Sequence, residues 1–327
     1  MSMNVTPYAE RTHKKSLRDA ASQVLIEIGR NDPNVVVLDA DLALSTKTIR
    51  FGQMFPDRFF DMGISEQNMM GVAAGFAAAG KKAVAATFAT FATGQCYNVI
   101  RQSIAYANHD VTIYATHAGI SVGGDGATHQ MLEDIGLMRM LPNMWVFAPA
   151  DATEMDPVLQ AAVARDGPCY VRCGRSDEPV LFERYEDFKV GKGLVLTDAG
   201  SDLNIVSTGS MTRYAIEAVE ALRKDGLDVG HLHMPTIKPM DDDALETFAR
   251  ASGALVTAEE HNVIGGFGSA CLESLAKRYP VPVRRVGTQD TFGESGSGQA
   301  LMDKYGLSAG HIATYAKEAM GLKDRTA

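Results

Sequence analysis

An α/β fold of two doubly wound domains is predicted by three features of this 327-residue sequence. Short, almost continuous apolar runs alternate with longer amphipathic or small-residue segments, the pattern of parallel strands covered by helices on both faces. A charged, weakly periodic connector across 179–201 interrupts that alternation, and a smaller version of it follows. The glycine-rich run from Thr116 to Gln130 holds two histidines and an aspartate between an apolar run and a helix-like segment. Doubly wound domains collect ligands at such a place, where loops leave the carboxyl ends of parallel strands.

In chain order, the first half reads as a helix over 17–28, strands over 35–39 and 59–62, and a helix over 66–79. A strand over 83–88, a helix over 94–107, a strand over 111–115 and a helix over 130–140 come next. This half closes with strands over 145–148 and 169–173 around a helix over 153–165. The second half offers strands over 203–207, 229–233, 255–258 and 283–286, with helices over 213–224, 243–251, 269–278 and 311–319. Val, Ile, Phe and Tyr concentrate in the strands, and Ala, Glu, Leu and Met in the helices, as local propensity requires. The predicted domains are 1–188 and 189–327.

A hydrophobic content of 46% supports a large core. The net charge of -9, with no dense Lys/Arg run, argues against a nucleic-acid partner or an anionic membrane. No stretch approaches the 18 or so apolar residues of a membrane-spanning helix, and the polar N-terminus lacks signal-peptide character, so the expected compartment is the cytoplasm. Cys96, Cys169, Cys173 and Cys271 follow no disulfide or zinc spacing and read as buried thiols.

The chemistry-bearing residues gather in a few segments. Glu66 opens a helix of small and apolar residues, where a glutamate either complements the helix dipole or serves a pocket. Phe88 and Phe91 stand at a strand end, as core residues or as a wall for a planar heterocycle. His117, Asp125 and His129 share the glycine-rich loop. Arg175 reads as a surface ion pair or an anion ligand, Ser45 as a helix cap or a hydroxyl contact. Two other patterns carry less. His231 and His233 alternate along a strand without further metal ligands, and the glycines at 265–268 and 296–298 match no dinucleotide fingerprint.

Taken in order, Asp41 to Ser45, Gly63 to Gln67, Thr87 to Phe91, His117 with Asp125 and His129, Pro142 with Pro149 to Asp151, and Gly174 with Arg175 form a series that resembles the transketolases. The resemblance runs from about Lys14 to Leu322 and covers that family's pyrimidine-binding and C-terminal domains. The segment from Glu259 to Gly268 resembles the second of these, which implies a role mainly in assembly. Absent is the N-terminal domain, which in full-length members holds the diphosphate of thiamine diphosphate and its metal ion. The chain thus resembles the second subunit of a split transketolase. The resemblance implies a partner subunit holding the diphosphate with Mg2+ or Ca2+, in a heterotetramer of two copies of each chain, and no metal site on this one. The Gly-Asp-Gly at 124–126 is not the family's metal motif, because no asparagine pair follows at the required distance.

By the same resemblance, Glu66 is the glutamate that hydrogen-bonds the aminopyrimidine so that the cofactor activates itself. Ile64, Phe88 and Phe91 then line the cofactor ring, and Gly94 stands where many transketolases have a tyrosine, so the resemblance implies either a looser pyrimidine pocket or a gap filled by Tyr97. Lys15, Ser45, His117 and Arg175 match positions that bind a sugar phosphate. Asp125 matches a hydroxyl contact, and His129 a donor to the reacting carbonyl oxygen. The implied reaction is transfer of a two-carbon ketol unit from a ketose phosphate to an aldose. The alternatives are half of a 1-deoxyxylulose-5-phosphate synthase, the beta subunit of a 2-oxo acid dehydrogenase, and a non-catalytic structural subunit.

Overall fold

The computed structural model describes residues 11–185 and 188–326; residues 1–10, 186, 187 and 327 of the two predicted domains lie outside the described residues. The first half runs β1 (Lys14–Ser16), α1 (Leu17–Asn31), β2 (Val35–Asp39), α2 (Ala43–Thr46), α3 (Ile49–Met54), β3 (Phe59–Asp61), α4 (Glu66–Ala78) and β4 (Lys82–Phe88). It continues with α5 (Tyr97–Val99), β5 (Val111–Thr116), α6 (Asp134–Arg139), β6 (Trp145–Phe147), α7 (Ala152–Ala164), β7 (Cys169–Arg172) and β8 (Asp177–Pro179). The second half holds β9 (Leu194–Thr197), β10 (Leu203–Ser207), α8 (Met211–Lys224), β11 (Val229–His233) and β12 (Thr236–Lys238). After these come α9 (Asp242–Ser252), β13 (Leu255–Asn262), α10 (Phe267–Arg278), β14 (Val283–Thr288), α11 (Gly298–Lys304) and α12 (Ala309–Thr326).

Two sheets organise these elements, as the doubly wound reading expects. The larger has the order β12-β6-β7-β5-β4-β2-β3, and the smaller the order β14-β13-β10-β11-β9. Within the larger, every neighbouring pair is parallel except β12 with β6. β2, β5 and β7 are buried along their whole length, which explains why apolar residues dominate their runs. α1 and α7 cover one face with Leu17, Leu25, Met155 and Leu159, while Met69, Met70 and Ile100 lie in the core cluster on the other. Each tight apolar strand and its crossover helix therefore sends the following loop to the same sheet edge.

Several elements lay beyond the sequence pattern. β1 pairs with β8 as a separate two-stranded sheet. β12 leaves the second half to pair antiparallel with β6, Thr236 opposite Phe147, and so completes the larger sheet from across the connector. We place the division between the two α/β units in the stretch from β8 to β9, where the sequence pattern breaks.

The helix expected over 94–107 is another departure. Thr90–Gln95 and Ile100–Ala105 are π-helical around the short α5, with the Tyr106 N–H donating to Arg101 O at 3.0 Å and the His109 N–H to Ile104 O at 3.0 Å. The helix expected over 130–140 forms only over α6, because Gln130 is spent holding the preceding loop.

Contacts between the halves are polar as well as apolar. His233 Nε2 meets Glu154 Oε2 at 2.8 Å and its Nδ1 meets Thr212 Oγ1 at 2.8 Å, while His231 Nε2 meets Ser207 Oγ at 2.8 Å. The alternating histidines are therefore partnered inside a buried hydrogen-bond chain rather than left for a metal. Burial holds His231 far down, at about 3. All four cysteines are free and buried. Among the described residues, no helix is long and apolar enough to cross a membrane.

Candidate active site

The loops after β2, β3, β4, β5 and β7 converge at the carboxyl edge of the larger sheet. β2 and β4 are neighbours there, although β3 lies between them in sequence, so the chain changes direction at this point. A cleft of about 330 Å³ opens beside that switch, lined by Ala40, Asp41, Leu42, Ile64, Glu66, Phe91 and Gln95. Its first wall is fixed by Asp39, whose buried carboxylate accepts from Thr46 Oγ1 at 2.7 Å, Thr48 Oγ1 at 2.8 Å and the Leu42 N–H at 2.7 Å. Burial pushes the Asp39 carboxyl up, against the lowering by these hydrogen bonds. The sequence shows Asp39 only as a polar end to an apolar strand.

Glu66 begins α4 and is 4% exposed. Among the described residues, Gln95 Nε2 is the one side-chain donor to its carboxylate, at 3.5 Å. Gln95 belongs to the π-helical turn, whose wider spacing brings its side chain to the cleft while Gln67 Nε2 holds its carbonyl at 3.0 Å. Apart from Glu66, Gln95 and Asp41 the lining is apolar, with Ile64 standing 83% exposed on its rim. A Cβ on Gly94 would meet nothing within 4 Å, and Tyr97 packs against the core instead of lining the cleft, so the space expected for Tyr97 stays open.

Beside the cleft, Phe88 carries a stack. Its ring lies 5.8 Å from Phe91 at 11° and 3.8 Å from the His117 imidazole at 22°. His129 presents its edge to Phe91 at 5.5 Å and to Phe88 at 6.4 Å. His117 has φ 57 and is 3% exposed, with Nδ1 2.9 Å from Thr116 Oγ1. Burial, then Arg18, Arg175 and His129, lowers it to about 3, so the ring is neutral, with one nitrogen donating and one accepting. Beyond His117 the 3₁₀ segment Ile120–Asp125 turns at Gly123, with φ 80 and ψ -116, a conformation open to glycine. Asp125 thereby comes within 3.6 Å of Arg175 Nη1, which also donates to Val122 O at 2.7 Å.

Arg18 joins this group through its bonds to Ser45 and Arg175, whereas no bond of Lys15 to the group is seen among the described residues. Lys15 is exposed on β1 with its Cα paired to that of Glu178. Arg18, in the first turn of α1, donates to Ser45 O at 2.9 Å and Arg175 O at 2.8 Å, and its Nε is buried without a partner. The sequence signal was present in the polar run 13–18, but three residues of helix onset decide which cation turns inward. The Ser45 contact uses its carbonyl and not its hydroxyl. Gln130, also missed, holds the glycine loop from below, donating to Gly123 O at 3.1 Å and Ile120 O at 3.3 Å. No group of three or more His, Cys, Asp or Glu among the described residues could hold a metal ion.

The family model for the transketolase pyrimidine-binding domain matches residues 13–179, and that for the transketolase C-terminal domain matches residues 191–312. The chain belongs to the transketolase family. A solved structure described as a split-gene transketolase, inactive beta4 tetramer, superposes with a TM-score of 0.88 at 48% identity, covering 94% of this chain and 99% of that one. The 6-deoxy-6-sulfo-D-fructose transketolase subunit SqwH of Clostridium sp. (strain MSTE9) is 37% identical over 97% of this chain and 98% of its own length. A subunit of the apulose-4-phosphate transketolase of Phocaeicola vulgatus is 33% identical over 92% of this chain and 96% of its own. A protein of Methanocaldococcus jannaschii described as a putative transketolase C-terminal section is 42% identical over 94% of this chain and 96% of its own length.

Members of the transketolase family depend on thiamine diphosphate. The cleft suits the ring end of that cofactor: apolar walls, one aromatic face at Phe91, and a buried carboxylate with a single long side-chain hydrogen bond. Glu66 would hold the ring nitrogen, with Phe91 and Ile64 against the ring faces.

Proposed function

We propose that this chain is the C-terminal subunit of a two-chain transketolase that moves a two-carbon ketol unit from a ketose phosphate to an aldose. The observation that carries the reading is the side-by-side placement, on one sheet edge, of the apolar cleft ending in Glu66 and the polar group of Arg18, His117, Asp125 and Arg175. The first suits a planar heterocycle and the second an anionic sugar. Thiamine diphosphate, when bound, supplies the nucleophilic carbon and the electron sink needed to break a carbon–carbon bond next to a carbonyl.

The residues of this chain have separate tasks in that reaction. Glu66 anchors the pyrimidine nitrogen. Phe88 stiffens the stack that sets Phe91 and His117, and Phe91 closes one ring face. His129, held edge-on to both phenylalanines, donates a hydrogen bond to the substrate oxygen on which negative charge develops. Asp125 accepts from a sugar hydroxyl. Arg175 and Arg18 grip the terminal anion with planar, multi-donor guanidinium groups, and neutral His117 adds a donor without a second desolvated charge. Relatives are named for a sulfosugar and for a sugar phosphate, and an arginine pair of this kind accommodates either anion. A partner subunit would supply the diphosphate and Mg2+ or Ca2+ site and cover the exposed Ile64 rim, in a heterotetramer of two copies of each chain.

The test is reconstitution. Co-purified with its N-terminal partner and given thiamine diphosphate and Mg2+, the enzyme is expected to transfer a ketol unit from xylulose 5-phosphate to an aldose without releasing CO2. Release of CO2 from pyruvate with joining of the remaining two carbons to glyceraldehyde 3-phosphate would point to a 1-deoxyxylulose-5-phosphate synthase, and release from pyruvate or a longer 2-oxo acid with oxidation of the remainder to a dehydrogenase subunit. Inactivity toward all three, in an assembled complex, would leave a structural subunit.

A further inference from the structure

We infer that Glu260, from the C-terminal half, is a positioning residue for substrate binding, holding the glycine loop at the height that sets Arg175 and Asp125. The inference rests on the proposal that this loop binds the sugar's anionic end. Family resemblance alone assigns this half of the chain to assembly and leaves the Glu-Glu-His at 259–261 without a task.

Glu260 stands near the end of β13 and is 3% exposed, yet its carboxylate serves the other half of the molecule. Oε1 accepts the Ser121 N–H at 2.8 Å, and Oε2 accepts Ser210 Oγ–H at 2.6 Å. Its carbonyl accepts Arg172 Nη2 at 2.7 Å, and Arg172 is itself paired with Asp134 at 2.7 Å. Glu260 is therefore anchored at two points and extends one charged acceptor to the loop. An ionised acceptor makes a shorter and stronger bond than a neutral one, which suits a loop with little apolar surface to hold it.

The loop backbone is shaped to receive this carboxylate. Gly119, at φ 90, lies so close that a Cβ there would collide with Glu260 Oε1. Ser121 is one residue from Val122, whose carbonyl accepts from Arg175, and four from Asp125, the partner of that same arginine. Displacing Ser121 therefore displaces both groups that aim Arg175. From the other side, the segment 292–298 closes on the loop. Glu294 O accepts Gln130 Nε2 at 2.9 Å, and Cβ atoms added at Gly123 and Gly298 would press on Gly296 O and Ser121 O. Two separate pieces of the C-terminal half thus hold the substrate loop at Gly119, Ser121, Gly123 and Gln130.

The experiment combines hydrogen exchange with kinetics on Glu260→Ala and Glu260→Gln in the full chain with its partner. Exchange over residues 119–123 is expected to rise about tenfold in the alanine variant and about threefold in the glutamine variant, with β10 and β13 unchanged. KM for a phosphorylated sugar should rise about tenfold in Glu260→Ala, with kcat within about threefold, and Gln should restore most of it. Unphosphorylated substrate should respond less. Wild-type exchange over 119–123 in either folded variant, or a fall in kcat shared equally by both substrate types, overturns the proposal. If the alanine chain does not fold, the glutamine variant decides by its exchange alone. A wild-type complex with no ketol transfer would sink the functional reading, and exchange would still judge the positioning role.

Discussion

Phe88 and His117 lie face to face, ring centroids 3.8 Å apart and planes inclined by 22°, at the junction of the cofactor cleft and the anion group. Burial strips the His117 ring of water and the Arg18 and Arg175 charges add to that, so the ring is neutral.

A pH dependence of stability follows. His117 falls from 6.5 to about 3 on folding, as does His231, so their contribution is complete above pH 6.5 and is lost as pH falls toward 3. Glu178, raised by burial to about 7, and Asp151, raised by burial to about 6, act oppositely, stabilising at low pH and losing that contribution as pH rises through those values. Between pH 4.5 and 6.5 the two sets oppose one another. His117→Asn should flatten the acid-side loss by about one proton, ~1.4 kcal/mol per pH unit, and Glu178→Gln should steepen it by a similar amount. Urea midpoints at pH 4.5, 5.5 and 6.5 that move in parallel for all three proteins would refute the assignment.

Glu66→Ala should leave folding and assembly intact, since the side chain sits at a cleft rather than inside the packed core. Turnover in the reconstituted enzyme should fall by about 10²- to 10⁴-fold, the range of a positioned proton-transfer partner. Size-exclusion profiles and steady-state rates measured together decide the matter, and wild-type turnover would remove Glu66 from its assigned role.

The cations separate two readings of the N-terminal run. Arg18→Ala should raise KM for phosphorylated sugars about tenfold or more, as loss of a charge-assisted contact does, and Arg175→Ala should behave alike. Lys15→Ala, on an exposed strand, should change KM by less than about twofold. The reverse order would restore the lysine to the anion site.

Much of this was legible beforehand, and for a physical reason. Strands buried on both faces must be apolar without interruption, so β2, β4 and β5 announce themselves; their carboxyl ends then locate Asp41, Phe88 and His117 with no tertiary information. β1, β8 and β12, each three residues long, leave no periodic signal. The π-helical turn at Gln95 is likewise silent, because its side chains remain those of an ordinary helix. Arg18 escaped because inward and outward cations differ only in the phase of α1. Glu260 could not be found by reading locally, since its partner Ser121 is 139 residues away.

Cofactor affinity should reveal the division of labour between subunits. The isolated chain offers a ring cleft and no cluster of metal-binding side chains among the described residues. Titration calorimetry of thiamine diphosphate with Mg2+ is therefore expected to show no binding tighter than about 0.1 mM, roughly −5.5 kcal/mol. Micromolar, Mg2+-dependent binding to this chain alone would contradict the proposal that a partner holds the diphosphate.

The inter-domain hydrogen-bond chain supplies the last prediction. Glu154 is fully buried on α7, accepts the Ala150 N–H at 2.6 Å, and meets His233 of β11 at 2.8 Å. His233 continues to Thr212 on α8, so one carboxylate ties the first half's helix to the second half's strand and helix. Removing it leaves a backbone N–H and an imidazole nitrogen without acceptors in a site closed to water, a larger loss than the bonds themselves are worth. Glu154→Ala should therefore destabilise by about 3–5 kcal/mol, whereas Glu154→Gln, which keeps an acceptor and the same shape, should cost about 1–2 kcal/mol. If the chain is that dependent on this one carboxylate, both halves should unfold together in the wild type and separately in the alanine variant. Calorimetry showing a single unchanged transition in Glu154→Ala would mean that β12 and the apolar contacts alone hold the halves together.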